Sequence, residues 1–135
     1  MTTIKIGKKD YKIFFAMEPT LQSQILPKLA KVEGNKEWGI DNIGDLFTII
    51  AELMVVGLQK FHADEFGCNF KTGEGVDDAL SKVFSLLDDF ADTDEDVSFF
   101  DMFHSLENEL LENGFFAKMF RQEKEKVEAE QNSEK

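Results

Sequence analysis

The sequence predicts a mainly α protein: a small helical domain with an N-terminal β-hairpin and a charged C-terminal helix or tail. Three observations lead there. Period-two alternation appears near the start, in Thr3-Ile4-Lys5-Ile6 and Tyr11-Lys12-Ile13-Phe14. Apolar residues at helical spacing fill most of the chain beyond Phe14. The 135 residues, 42% hydrophobic and 31% charged, suit one domain with one core. We place a single domain at residues 1–120 and a frayed or disordered tail at 121–135.

Each element has a local reason. Gly7-Lys8-Lys9-Asp10 carries turn chemistry between the two alternating runs, which makes a hairpin. A lone hairpin is marginal, so it must pack on the helices or pair through an edge. Pro19 suits a first helical turn, and Leu21, Ile25, Leu29 and Val32 then recur on one face. Pro27 should kink or split that helix. EGNKEWG reads as a loop. Ile43, Leu46, Phe47, Ile50, Leu53, Met54, Gly57, Leu58 and Phe61 form a broad stripe, with Asp45, Thr48, Glu52 and Gln59 opposite. That pattern belongs to a helix at the centre of a core. HADEFGCNFKTGEG reads as a long loop. Val76, Leu80, Val83, Leu87 and Phe90 line a third helix, with Asp77 and Asp78 in its first turn. A fourth helix is expected to start at Thr93, with Asp96 completing a short capping box, and to end at Gly114. In that ending Phe115 could contact Leu110.

Charge is unevenly placed. The net charge of −12 lies entirely in residues 74–113, which hold thirteen acids and one base, Lys82. Phosphate contacts need clustered cations, so nucleic-acid binding is not expected. An anionic membrane surface is disfavoured for the same reason. The most apolar run, Leu46 to Leu58, is too short to span a bilayer and contains Glu52. The N-terminus lacks the charge-then-apolar pattern of a signal peptide. Cys68 is the single cysteine, which rules out an intrachain disulfide and fits a reducing compartment.

Residues 88–103, DDFADTDEDVSFFDMF, pose the functional question, with six aspartates, one glutamate and four phenylalanines. An EF-hand loop beginning at Asp92 would use Asp94 and Asp96, but Val97 and Phe103 stand where Gly and Glu are required. Zinc needs four ligands, and His62, Cys68 and His104 are the only histidines and cysteine. No Gly-rich loop or nucleophile elbow accompanies the carboxylates, so no enzyme activity, metal or cofactor is expected. On a helical wheel, Phe99, Met102, Phe103, Leu106 and Leu110 share one stripe that should face the core. Phe100 and Leu111 fall on a second strip. Either this helix is buried on two sides or the second strip meets a partner. Phe115, Phe116, Met119 and Phe120 extend the apolar supply into a charged segment, as in segments that finish folding on a partner. The candidate partner-binding residues are therefore Phe100, Leu111, Phe115, Phe116 and Phe120.

The layout, with IKIGKKDYKIFF as hairpin and an acidic helix ending in ENELLENGFFAKMF before a charged tail, resembles the tail assembly chaperones of long-tailed phages, especially those of Gram-positive hosts. The resemblance spans most of the chain and is most specific at the hairpin and at LLENGFF. It implies a non-catalytic protein that coats the tape measure protein and recruits tail tube subunits. It also implies action in the host cytoplasm during assembly and absence from the mature virion. Many such chaperones have a longer, frameshifted form, and EKEKVEAEQNSEK would suit a short form. Self-association is expected, through the hairpin edges. The acidic stretch would keep an apolar binding surface soluble. The alternative is an acidic inhibitor that mimics DNA, which should expose carboxylates in a double row. A third reading is an enzyme subunit without its own active site.

Overall fold

The computed structural model describes residues 1–33, 42–92, 98–113, 115 and 118. The protein is 66% helical, with one two-stranded antiparallel sheet at its N-terminus. Strands β1 (Thr2–Ile6) and β2 (Lys9–Ile13) pair with Thr2 opposite Ile13 and Ile6 opposite Lys9. The turn is tighter than its composition suggests, because only Gly7 and Lys8 lie between the strands. Gly7 has φ +65°, and Lys8 is not among the left-handed residues. One left-handed residue at the first turn position is what a type II′ hairpin needs, and glycine supplies it without strain. Ile4, Ile6, Tyr11 and Ile13 are buried on one face, while Thr3, Lys5, Asp10 and Lys12 are exposed on the other.

Helix α1 (Met17–Gln22) and helix α2 (Ile25–Glu33) are the two halves of the helix that Pro27 was expected to kink or split. The split falls at Ser23 and Gln24, where Gln24 takes φ +58°. Pro27 is the cause, acting four residues upstream. It has no N–H to give the Ser23 carbonyl, and its ring would collide with that carbonyl in a continuous helix. With the break in place, Pro27 lies harmlessly in the first turn of α2. The break also turns Leu21 outward, so it is exposed rather than continuous with Ile25 and Leu29, which are buried.

Helix α3 (Ile43–Leu58) is the centre of the core, with ten of its sixteen residues buried. The hairpin, α1, α2 and the three later helices α4 (Ala63–Phe66), α5 (Val76–Ala91) and α6 (Phe99–Asn108) all pack against it. Lys28 on α2 pairs with Glu52 on α3 at 3.1 Å. Gly57 lets the hairpin come close: a Cβ there would lie 2.6 Å from Cγ2 of Ile13. The same residue's carbonyl accepts the Phe14 N–H at 2.9 Å, which closes that stretch of β2's outer side. The helix ends at Leu58, so Phe61 leaves the core stripe and is exposed.

The segment expected to be all loop holds a short helix, α4 (Ala63–Phe66), which buries Phe66. The amide of Gln59 braces it. Its Nε2 donates to the Val55 and Phe66 carbonyls at 2.9 and 2.8 Å, and its Oε1 accepts the Cys68 N–H at 3.1 Å. Helix α5 (Val76–Ala91) comes next and buries Ala79, Val83 and Leu87. Helix α6 (Phe99–Asn108) runs into a π turn, Glu109–Asn113. The expected start at Thr93 is corrected. Ser98 is extended (φ −124°, ψ 120°), and its hydroxyl accepts the Asp101 N–H at 3.2 Å. Ser98 is thus the N-cap, the ordinary role of a serine in extended backbone before a helix. Thr93–Val97 and Gly114 lie outside the described residues, as do Phe116, Ala117, Met119, Phe120 and the whole tail at 121–135. The expected Gly114 ending therefore lies outside them too, while Phe115 and Lys118 beyond it are helical.

Candidate functional site

The first of the two stripes read from the sequence is internal. Met102, Phe103, Leu106 and Leu110 are buried. Phe99 is half-buried and packs edge-on against Phe47, with ring centroids 4.9 Å apart, and against Phe90 at 5.2 Å. Edge-to-face rings at these separations add to simple area burial. This trio joins the ends of α3, α5 and α6.

The second strip is divided. Phe100 faces solvent at 42% exposure, next to Asp101 and one turn from His104. Leu111 is half-buried and packs against the core. The π turn explains the difference. Each π turn takes in an extra residue, so a uniform helical step misplaces everything beyond Glu109. Phe115 is half-buried. Phe116 and Phe120 lie outside the described residues. Of the five candidate residues, then, Phe100 is open, Leu111 belongs partly to the core, and Phe115 lies between.

Glu109 is a functional candidate that the helical wheel did not single out. It is 1% exposed, a carboxylate in the core. Oε1 lies 2.6 Å from the α-amino group of Met1, and Oε2 accepts from Nδ2 of Asn113 at 3.0 Å. The Met1 contact is an ion pair without hydrogen-bond alignment, since Oε1 has no hydrogen-bond partner. A buried carboxylate left unpaired would cost several kcal/mol, on the order of 3–5. The pair therefore ties the start of β1 to the π turn. The signal lies in the spacing: Glu109 stands three residues after Leu106 and seven after Met102, at the Met102 edge of the core stripe.

The residues weighed for metal or thiol chemistry have structural uses. Nε2 of His62 accepts the Lys12 N–H at 3.0 Å, and its ring lies 5.4 Å from that of Tyr11. It thereby caps an outward-facing donor of β2. Burial pushes the Cys68 thiol up from its ordinary value, which holds it protonated and weakens it as a nucleophile. Among the described residues no group of three or more His, Cys, Asp or Glu side chains is arranged to hold a metal ion. No helix among them is long and apolar enough to cross a membrane. One surface depression, about 350 Å³, is lined by Glu18, Gln22, Lys60, Cys68 and Phe70 among others. It offers polar and apolar contacts but no activated nucleophile.

Comparisons with protein-family models, with curated proteins and with solved structures found no match.

Proposed function

We propose that this chain is a non-catalytic tail assembly chaperone of a long-tailed phage, acting in the host cytoplasm on the tape measure protein and on tail tube subunits. The observation that carries the reading is Phe100. It is a large aromatic on a well-capped helix, left open to solvent among acidic side chains, at the head of a segment that continues through Phe115, Phe116 and Phe120. An aromatic anchor on a rigid helix is a suitable hot spot for a protein partner. Burying one such ring contributes roughly 1.5–3 kcal/mol. The hairpin followed by helices is the layout that the resemblance implies.

The test is co-purification with a fragment of a phage tape measure protein. Phe100→Ser should weaken capture, and Phe116→Ser with Phe120→Ser should abolish it, with the urea midpoint nearly unchanged. Full capture by folded variants would move the site elsewhere. Unfolding of the Phe116/Phe120 variant would make those rings structural.

A further inference from the structure

The geometry points to a head-to-tail contact between copies of this chain, in which a basic aromatic patch on one copy takes the acidic aromatic stripe of helix α5 on the next. The patch is built where the outer face of the hairpin meets the chain after α3. Phe14 and Phe61 stand edge to face, with centroids 6.3 Å apart. Nζ of Lys60 lies 5.0 Å from the Phe14 centroid, and Nζ of Lys12 lies 5.8 Å from that of Phe61. Lys5 and Asp10 continue the same hairpin face, both exposed. The rings hold the two ammonium groups beside an apolar centre in which Phe61 is 45% exposed.

The complementary surface is on α5. Phe84 is 43% exposed, on the flank of the helix away from Val83 and Leu87. At helical spacing, Asp77, Asp88 and Asp92 fall within one quadrant of Phe84, together with Ser81. Lys82, the one base of this helix, points to the other flank. There it pairs with Asp78 at 3.2 Å and donates to the Glu65 carbonyl at 2.9 Å. Among the described residues no ion pair within the chain takes Asp77, Asp88 or Asp92. A phenylalanine framed by carboxylates thus faces outward on one side of the molecule, and phenylalanines framed by ammonium groups face outward on another.

A second copy is the occupant because the chain carries both halves of the match. Complementary charge around an apolar centre sets orientation and speeds encounter. Because the two halves are different surfaces, the contact is heterologous and repeats into rings or open filaments. Backbone pairing through the hairpin is the weaker route. On β2, Lys12 N–H is taken by His62 and Phe14 N–H by Gly57, while β1 is short and carries Lys5, a residue that protects edges. This inference uses residues distinct from those of the proposed partner site, so either can fail alone.

Sedimentation velocity over a concentration series tests it, at low and high salt. The wild type should grow in mean size with concentration and shrink toward the 15.4 kDa monomer as salt rises. Lys12→Glu with Lys60→Glu, and separately Asp77→Lys with Asp88→Lys, should each weaken association by about tenfold or more. Mixing the two reversed proteins should restore it, because every contact is then again between opposite charges, and restoration excludes misfolding as the cause of the loss. A wild type that stays monomeric throughout, reversed variants that associate like the wild type, or a mixture that fails to recover would each overturn the inference. So would a monomer that instead co-sediments with a labelled single-stranded oligonucleotide, which would assign the patch to nucleic acid.

Discussion

Replacing Gly57 by alanine tests how the hairpin is seated. The new Cβ would lie 2.6 Å from Cγ2 of Ile13 and 3.5 Å from Cζ of Phe15. Ile13 is fully buried, and its β-branched side chain has few alternative rotamers. Overpacking of this kind costs about 1–3 kcal/mol. The helix gains about 1 kcal/mol from alanine in place of glycine. The balance is a net loss of about 1 kcal/mol, from the middle of the first range. Gly44 stands in the first turn of the same helix, and a Cβ there meets nothing within 4 Å. Gly44→Ala should therefore gain about 0.5–1 kcal/mol. In urea, the Gly57 variant should unfold at a midpoint lower by about 0.3–1 M, and the Gly44 variant at a higher one. Adding Ile13→Leu, which removes the branch methyl, should cost less in the Gly57→Ala background than in the wild type. A Gly57→Ala protein at or above the wild-type midpoint, with unchanged slope, would refute the close seating of Ile13 on α3.

Three further outcomes rest on single residues. Ser98→Ala removes the hydroxyl that accepts the Asp101 N–H and should cost about 1 kcal/mol in urea, with Ser98→Asp close to neutral. Burial raises the Tyr11 hydroxyl above its ordinary 10.0, and the chain has one tyrosine. The neutral form is favoured by folding, so this stability is complete below pH 10 and is lost as pH rises through the higher folded value. Absorbance titration should show the tyrosine ionising late in the native protein and at its ordinary value in urea; equal values would contradict its burial. Cys68, raised by burial above 9.0, should react slowly with a disulfide reagent at about pH 8 when native and rapidly once unfolded. Equal rates would mean that the thiol is open.

The parts of the fold that were legible in the sequence are those where period and burial agree. The alternation of Ile4, Ile6, Tyr11 and Ile13 marked the hairpin, and the broad stripe from Leu46 to Leu58 marked the central helix. The α6 stripe likewise placed Met102, Phe103, Leu106 and Leu110 inside. Periodicity could not locate the break at Ser23 and Gln24, because the proline that causes it stands downstream. It also carried Phe61 too far along the α3 pattern, since a stripe does not announce where hydrogen bonding stops. The four residues of α4 are too few to show a period, and only the burial of Phe66 reveals them. At the candidate site, the helical wheel left open whether Phe100 was buried on a second side, and the structure has it exposed on the helix. Leu111 was not, because the π turn breaks the regular step. Glu109 escaped notice because a carboxylate at the edge of a core stripe reads as one more member of an acidic run.

The most direct measurement is co-expression of this chain with a phage tape measure protein, the partner proposed above, followed by separation of soluble from aggregated protein. The account predicts that the tape measure protein stays soluble and elutes together with this chain, and that Phe100→Ser with Phe116→Ser and Phe120→Ser returns it to the aggregate. A tape measure protein that is equally insoluble with and without this chain would contradict the central claim.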